Sequence, residues 1–176
     1  HRFQVAQLQL GHAAALFLFD DHIRYLVVVQ YLQQVFATVN GERTPGKVAI
    51  FATCYVNYNE PGIGADLIKL LDHNEIPYEI VEKEQCCGMP KLELGDLPAV
   101  AANKEKNIPL LAQLAREGYA IMTPIPSCTL MFKQELPLMF PDDADVQAVK
   151  ARIFDPFEYL MLRHKSGLLN TEFKAK

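Results

Sequence analysis

Four cysteines stand in this chain of 176 residues: Cys54, the adjacent pair Cys86-Cys87, and Cys128. Thiolates are ligands for soft metals, and a [4Fe–4S] cluster takes four of them, one for each iron. The set has the count that such a cluster needs. Gly88 follows the pair directly and lets the backbone come close to a ligand, while Pro90 stiffens the loop that aims both thiols. Other chemistries for the same residues stay open. Structural zinc usually takes paired cysteines that are separated in sequence, not adjacent. A Cys86–Cys87 disulfide would be strained, and thiol redox enzymes more often use Cys-x-x-Cys. A fold that keeps its thiols and binds no cluster is the remaining alternative.

The elements that must position these thiols can be read around them. Each cysteine follows a short apolar run: Val48-Ala49-Ile50-Phe51, Tyr78-Glu79-Ile80-Val81 and Ala120-Ile121-Met122. Such runs alternate with helical patterns, which implies an α/β fold: a Rossmann-like parallel sheet with flanking helices. In that arrangement all four thiols emerge at the carboxyl edge of the sheet, where open α/β sheets bind their ligands. A helix is expected to start at Asn59-Glu60-Pro61, bury Ile63, Leu67, Leu70 and Leu71, and stop near Asn74. A second opens at Asp96 or Pro98, is kinked or divided by Pro109, and closes at Gly118. A third runs from Thr129 to Pro137. Asp145 is expected to cap a fourth. Asp155-Pro156 opens a fifth whose apolar stripe is Phe157, Leu160, Met161 and His164.

Composition narrows the class. The chain is half hydrophobic and carries a net charge of −4 with its Lys and Arg scattered, so it lacks the basic patch that nucleic acid requires. Four cysteines are too few for a disulfide-stapled secreted scaffold, and reduced, ligating thiols point to the cytoplasm. The apolar run over residues 13–19 is interrupted by Asp20, Asp21 and Arg24, so no direct membrane span is expected. Residues 1–44 read as an apolar, helical N-terminal appendage ending in the turn-rich stretch Asn40-Gly41-Glu42-Arg43-Thr44-Pro45-Gly46, and 45–176 as the α/β domain. Phe17, Phe19, Val28, Tyr31 and Phe36 of the appendage call for cover by the domain, by a second copy of the chain or by a partner.

Cys54, then Cys86-Cys87-Gly88, then Pro126-Ser127-Cys128 resembles the CCG-type cysteine-rich domain, from about Lys47 to the C-terminus. That domain occurs in heterodisulfide reductase, in the iron–sulfur subunit of anaerobic glycerol-3-phosphate dehydrogenase, and in glycolate and lactate oxidation subunits. Phe51-Ala52-Thr53-Cys54-Tyr55-Val56-Asn57 and Pro126-Ser127-Cys128-Thr129-Leu130-Met131 are most similar to the glycerol-3-phosphate dehydrogenase branch. The resemblance implies an iron–sulfur electron-transfer domain of a larger oxidoreductase. Cys54, Cys86, Cys87 and Cys128 would be metal ligands, and Gly88, Pro90 and Ser127 would line the cofactor. Other redox subunits or a second CCG domain would be partners, and any membrane association would come through them. Three departures from the family pattern stand out. Met131 occupies the last cysteine position, a second tandem motif is not found by Lys176, and no ferredoxin-like cysteine run precedes the domain. With four thiolates the expectation is one ordinary [4Fe–4S] cubane or none, and not the double cluster of heterodisulfide reductase.

Overall fold

The structure is a computed structural model that describes residues 37–82 and 86–173. The chain divides into two compact units, His1–Phe36 and Ala37–Lys176. The expected appendage helices and their apolar stripe lie outside the described residues.

Four short apolar strands, β1 (Val48–Ile50), β2 (Tyr78–Ile80), β3 (Ala120–Met122) and β4 (Ile153–Phe154), form one sheet in the order β2-β1-β3-β4. Every pairing is parallel, with Ile50 level with both Ile80 and Met122. Val48, Ala49, Ala120, Ile121 and Met122 are fully buried, as strands covered by helices on both faces must be. The chain leaves β1 for β2 on one side, then crosses to β3 on the other. The switch point of the sheet therefore lies between β1 and β3. β4, only two residues long, is too short to show a period and was not anticipated.

The helices follow the sequence pattern with instructive exceptions. α1 (Thr53–Tyr58) and α2 (Pro61–His73) come after β1. α2 begins on Pro61, but its N-cap is Glu60 and makes no side-chain capping bond; Leu67, Ile68 and Leu71 are buried, whereas Ile63 is exposed. The buried face is therefore rotated toward Ile68 relative to the expected stripe. After β2 come α3 (Met89–Glu93) and α4 (Leu97–Arg116), the latter capped by Asp96, which accepts from the Ala99 N–H. α4 is not divided at Pro109. Proline removes one backbone donor, but the buried face Val100, Ile108, Leu111 and Ala115 spans the break and holds both halves on the sheet. Fully burying side chains such as Ile108 and Leu111 is worth about 1.5–3 kcal/mol each. Gly118, at φ +87°, ends α4 with the Gly118 N–H on the Ala115 carbonyl and the Tyr119 N–H on that of Leu114, a Schellman closure.

Beyond β3, α5 (Pro126–Leu130) runs into a π-helical turn (Met131–Glu135) and then α6 (Leu136–Met139). The helical run thus begins before Thr129 and passes Pro137. The widened turn stands just ahead of Pro137, whose ring would otherwise clash with the carbonyl four residues back. α7 (Ala144–Lys150) is capped by Asp143, not Asp145: Asp143 Oδ1 accepts from the N–H groups of Asp145 and Val146. α8 (Pro156–Lys165), capped by Asp155 as expected, buries a different face from the one its apolar residues suggest. Phe157, Met161 and His164 are exposed, while Tyr159 and Arg163 are buried. The Tyr159 hydroxyl donates to the Pro45 carbonyl at 2.7 Å and Arg163 Nη1 to the Val39 carbonyl at 3.0 Å. The turn-rich stretch before β1 is thus fastened to α8.

Candidate metal centre

The level strand ends deliver the cysteines to one place. Cys54 is the second residue of α1, after β1; Cys86 and Cys87 lie between β2 and α3; Cys128 is in the middle of α5, after β3. Cys54 is exposed, Cys86 half-buried, and Cys87 and Cys128 buried, and all four are free thiols. Their sulfurs form one hydrogen-bonded network. Cys128 donates to Cys87, and Cys86 interacts with both Cys54 and Cys87.

The charges follow from that network. Cys87 is lowered to about 7, first because the Cys128 thiol donates to it, then against burial through the Met89 N–H, the Cys86 thiol and its own N–H. Cys128 is pushed up by the same bond, since donating to Cys87 keeps its proton on, and burial adds to this. Burial also raises Cys86, opposed by the Gly88 N–H. A buried thiol shifted toward ionisation, shared donors and three backbone N–H groups at the sulfurs make an environment suited to thiolate ligands.

Local devices hold the loops. Gly88, at φ +101°, caps α3 directly after the cysteine pair. A Cβ there would lie 3.4 Å from Met131 Cε and 3.9 Å from Val100 Cα, so the turn sits close against α4 and the π-helical turn. Pro90 and Ser127 are exposed in the first turns of α3 and α5. Met131 is fully buried in the same core as Cys87, Cys128 and Phe132, and it fills space beside Gly88. Sequence reasoning passed over three features. Thr53, buried just before Cys54, adopts φ +75°, rare for a β-branched residue, and its Oγ1 accepts from the Val56 N–H at 3.3 Å. The Thr123 and Thr129 hydroxyls meet at 2.5 Å and brace the loop into α5. Asn107, buried on α4, donates its Nδ2 to the Cys86 carbonyl at 3.1 Å. Only Asn107 left a signal, as an amide beside Ile108 and Leu111 on a partly apolar helix face.

Among the described residues no three His, Cys, Asp or Glu side chains converge as on a single metal ion. A cluster asks for a different arrangement, because each thiolate binds its own iron and the four sulfurs surround the cluster. The donor set here, four free thiols in one network with N–H groups at the sulfurs, fits that requirement in kind and number.

Parallel strands that gather thiols at their switch point define a cysteine-edged, doubly wound α/β domain. Residues 48–133, which include all four cysteines, match the family described as CCG, a cysteine-rich domain. It is similar to a subunit of the anaerobic glycerol-3-phosphate dehydrogenase of Escherichia coli (strain K12), 30% identical over 92 residues, 52% of this chain and 23% of that protein. It is also similar to a subunit of the fumarate reductase (CoM/CoB) of Methanothermobacter marburgensis, 26% identical over 110 residues, 62% of this chain and 22% of that one. Lactate utilization protein A of Bacillus thuringiensis (strain Al Hakam) is 34% identical over 97 residues, 55% of this chain and 38% of that protein. The chain spans well under half the length of these curated relatives. No solved structure matches it. No described helix is long and apolar enough to cross a membrane.

Proposed function

We propose that this domain holds one iron–sulfur cluster, a [4Fe–4S] cubane, on Cys54, Cys86, Cys87 and Cys128, and relays electrons inside a larger cytoplasmic oxidoreductase. The observation that carries this reading is the single network of four free thiols at the switch point. The relatives named as dehydrogenase and reductase subunits support the redox setting and other redox subunits, or a second CCG domain, as partners. When bound, such a cluster takes up and releases single electrons. The chain's own residues do the rest. The Gly88 and Met89 N–H groups stabilise negative charge on the sulfurs of Cys86 and Cys87, and the buried wall of Met131 and Phe132 keeps water from that side. Gly88, Pro90 and Ser127 shape the loops around it.

A second reading, a cluster-free interaction domain that keeps the fold, is favoured by the direct Cys87–Cys128 contact and by buried Met131 at the family's last cysteine position. Protein purified and reconstituted without oxygen separates the two. About four iron and four acid-labile sulfide per chain are expected, falling sharply in Cys87→Ser and Cys128→Ser. Wild type that stays free of iron and sulfide after reconstitution leaves the cluster-free reading standing.

A further inference from the structure

The peptide group joining Cys86 to Cys87 has one accepting oxygen, the Cys86 carbonyl, and that oxygen is occupied by the side-chain amide of Asn107. The bond ties residues far apart in sequence, from the loop after β2 to the middle of α4. A peptide group is planar and rigid, and this one carries both cysteine Cα atoms. Fixing its carbonyl sets the last backbone rotation of Cys86 and the first of Cys87, and so the directions in which the two thiols leave the chain. Asn107 sits where the rest of α4 buries Ile108, Leu111 and Ala112, and asparagine is a poor helix former. A buried amide in such a place costs free energy unless it is hydrogen-bonded.

We propose that Asn107 is a positioning residue that locks the Cys86–Cys87 peptide plane, sending one thiol toward Cys54 and the other toward Cys128 and setting the potential of the cluster they hold. The lock keeps the carbonyl turned into α4 and leaves the Gly88 and Met89 N–H groups on the sulfurs of Cys86 and Cys87. Donors of that kind stabilise the more negative, reduced state. Releasing the plane weakens those contacts, so the potential shifts downward and the cluster is held less firmly. The potential part rests on the cluster-binding reading; the lock itself does not.

The experiment therefore has a cluster-free arm and a cluster arm. Apo protein is labelled with a limiting thiol reagent, and the modification of each cysteine is read by mass spectrometry for wild type, Asn107→Leu and Asn107→Asp. Both replacements keep the branched four-heavy-atom shape of the side chain, but neither Leu nor ionised Asp can donate as the amide does. The expected result is a changed Cys86-to-Cys87 labelling ratio. In reconstituted protein, a lower midpoint potential is expected, with iron retention weakened roughly 10–100-fold as for other residues that orient metal ligands. Asn107→Gln, which restores an amide, should recover part of both effects. An unchanged labelling ratio in folded Asn107→Leu overturns the lock. A changed ratio together with wild type that binds no iron leaves the lock standing and removes the cluster reading. If the variants do not fold, hydrogen exchange of the wild-type Asn107 side-chain amide decides, since rapid exchange overturns the proposal and strong protection supports it.

Discussion

Gly88 answers the demand of a left-handed backbone. At φ +101° any L side chain is strained by about 1–3 kcal/mol, although a Cβ would meet Met131 only at an ordinary contact distance of 3.4 Å. Gly88→Ala is therefore expected to lower stability by about that amount in chemical denaturation. A loss below the precision of the measurement would count against the turn described here. Met131 shows the opposite freedom. It is fully buried, and Met→Leu swaps that conserve volume usually cost less than about 1.5 kcal/mol. Met131→Leu should keep the iron count and electron paramagnetic resonance signal of wild type, whereas Met131→Cys, adding a thiolate near Cys128, should change the signal. A wild-type iron count matching a non-cubane pair of clusters would refute the single-cubane expectation. The cysteines and Gly88 were legible because their types are rare and their chemistry is narrow. Thr53 was not, since nothing about a threonine in sequence announces φ +75°.

At the scale of elements, α4 and α7 are joined by charge as well as by packing. Lys104, nearly buried on α4, pairs with Asp143 at the head of α7 and with Glu105 at 2.9 Å, its Nζ 4.9 Å from the centre of the Phe140 ring. Arg116 pairs with Asp145 beside it. The Lys104 ammonium holds the Asp143 carboxyl below its ordinary value, and Asp143 in turn holds Lys104 above its own. A depressed carboxylate contributes stability above its unfolded value and loses it as pH falls through the folded one; a raised lysine contributes below its unfolded value and loses it as pH rises through the folded one. Asp143→Asn keeps an N-cap side chain and removes the charge. It should cost roughly 1.5–3 kcal/mol at neutral pH. The deficit should shrink as the pH is lowered past the ordinary carboxylate range, which thermal melts across pH can follow. An equal deficit in acid would assign the loss to packing. α8 makes the contrasting case: Phe157, 80% exposed, should tolerate Phe157→Ser within about 0.5 kcal/mol in the same melts, although its spacing suggested a core position. A large loss would restore the face expected from the sequence.

For the whole molecule, the short strands matter through their ends. A core of fully buried strand residues under α4 and α7 holds the sheet, and its carboxyl edge carries the four thiols on α1, the loop before α3, and α5. The chain spans 22–38% of the length of the three relatives named above. The exposed apolar residues Leu138 and Phe157 lie far along the chain from the strand ends that carry Cys54, Cys86 and Cys87.

Sequence alone determined the parallel α/β order, the carboxyl-edge location of the cysteines and the starts of α4 and α8. Those features follow from local causes: apolar runs of strand length, capping aspartates, prolines in first turns and a glycine stop. Tertiary structure alone decided which face of α8 is buried, that α4 survives Pro109, that the helix after Cys128 widens before Pro137, and that Asn107 reaches the Cys86 carbonyl. All but the widened turn, which stands just ahead of Pro137, are settled by a partner distant in sequence. Tyr159, whose hydroxyl reaches the carbonyl of buried Pro45, and Arg163, which reaches the Val39 carbonyl, take the buried face of α8, and Phe157 and Met161 are left in water.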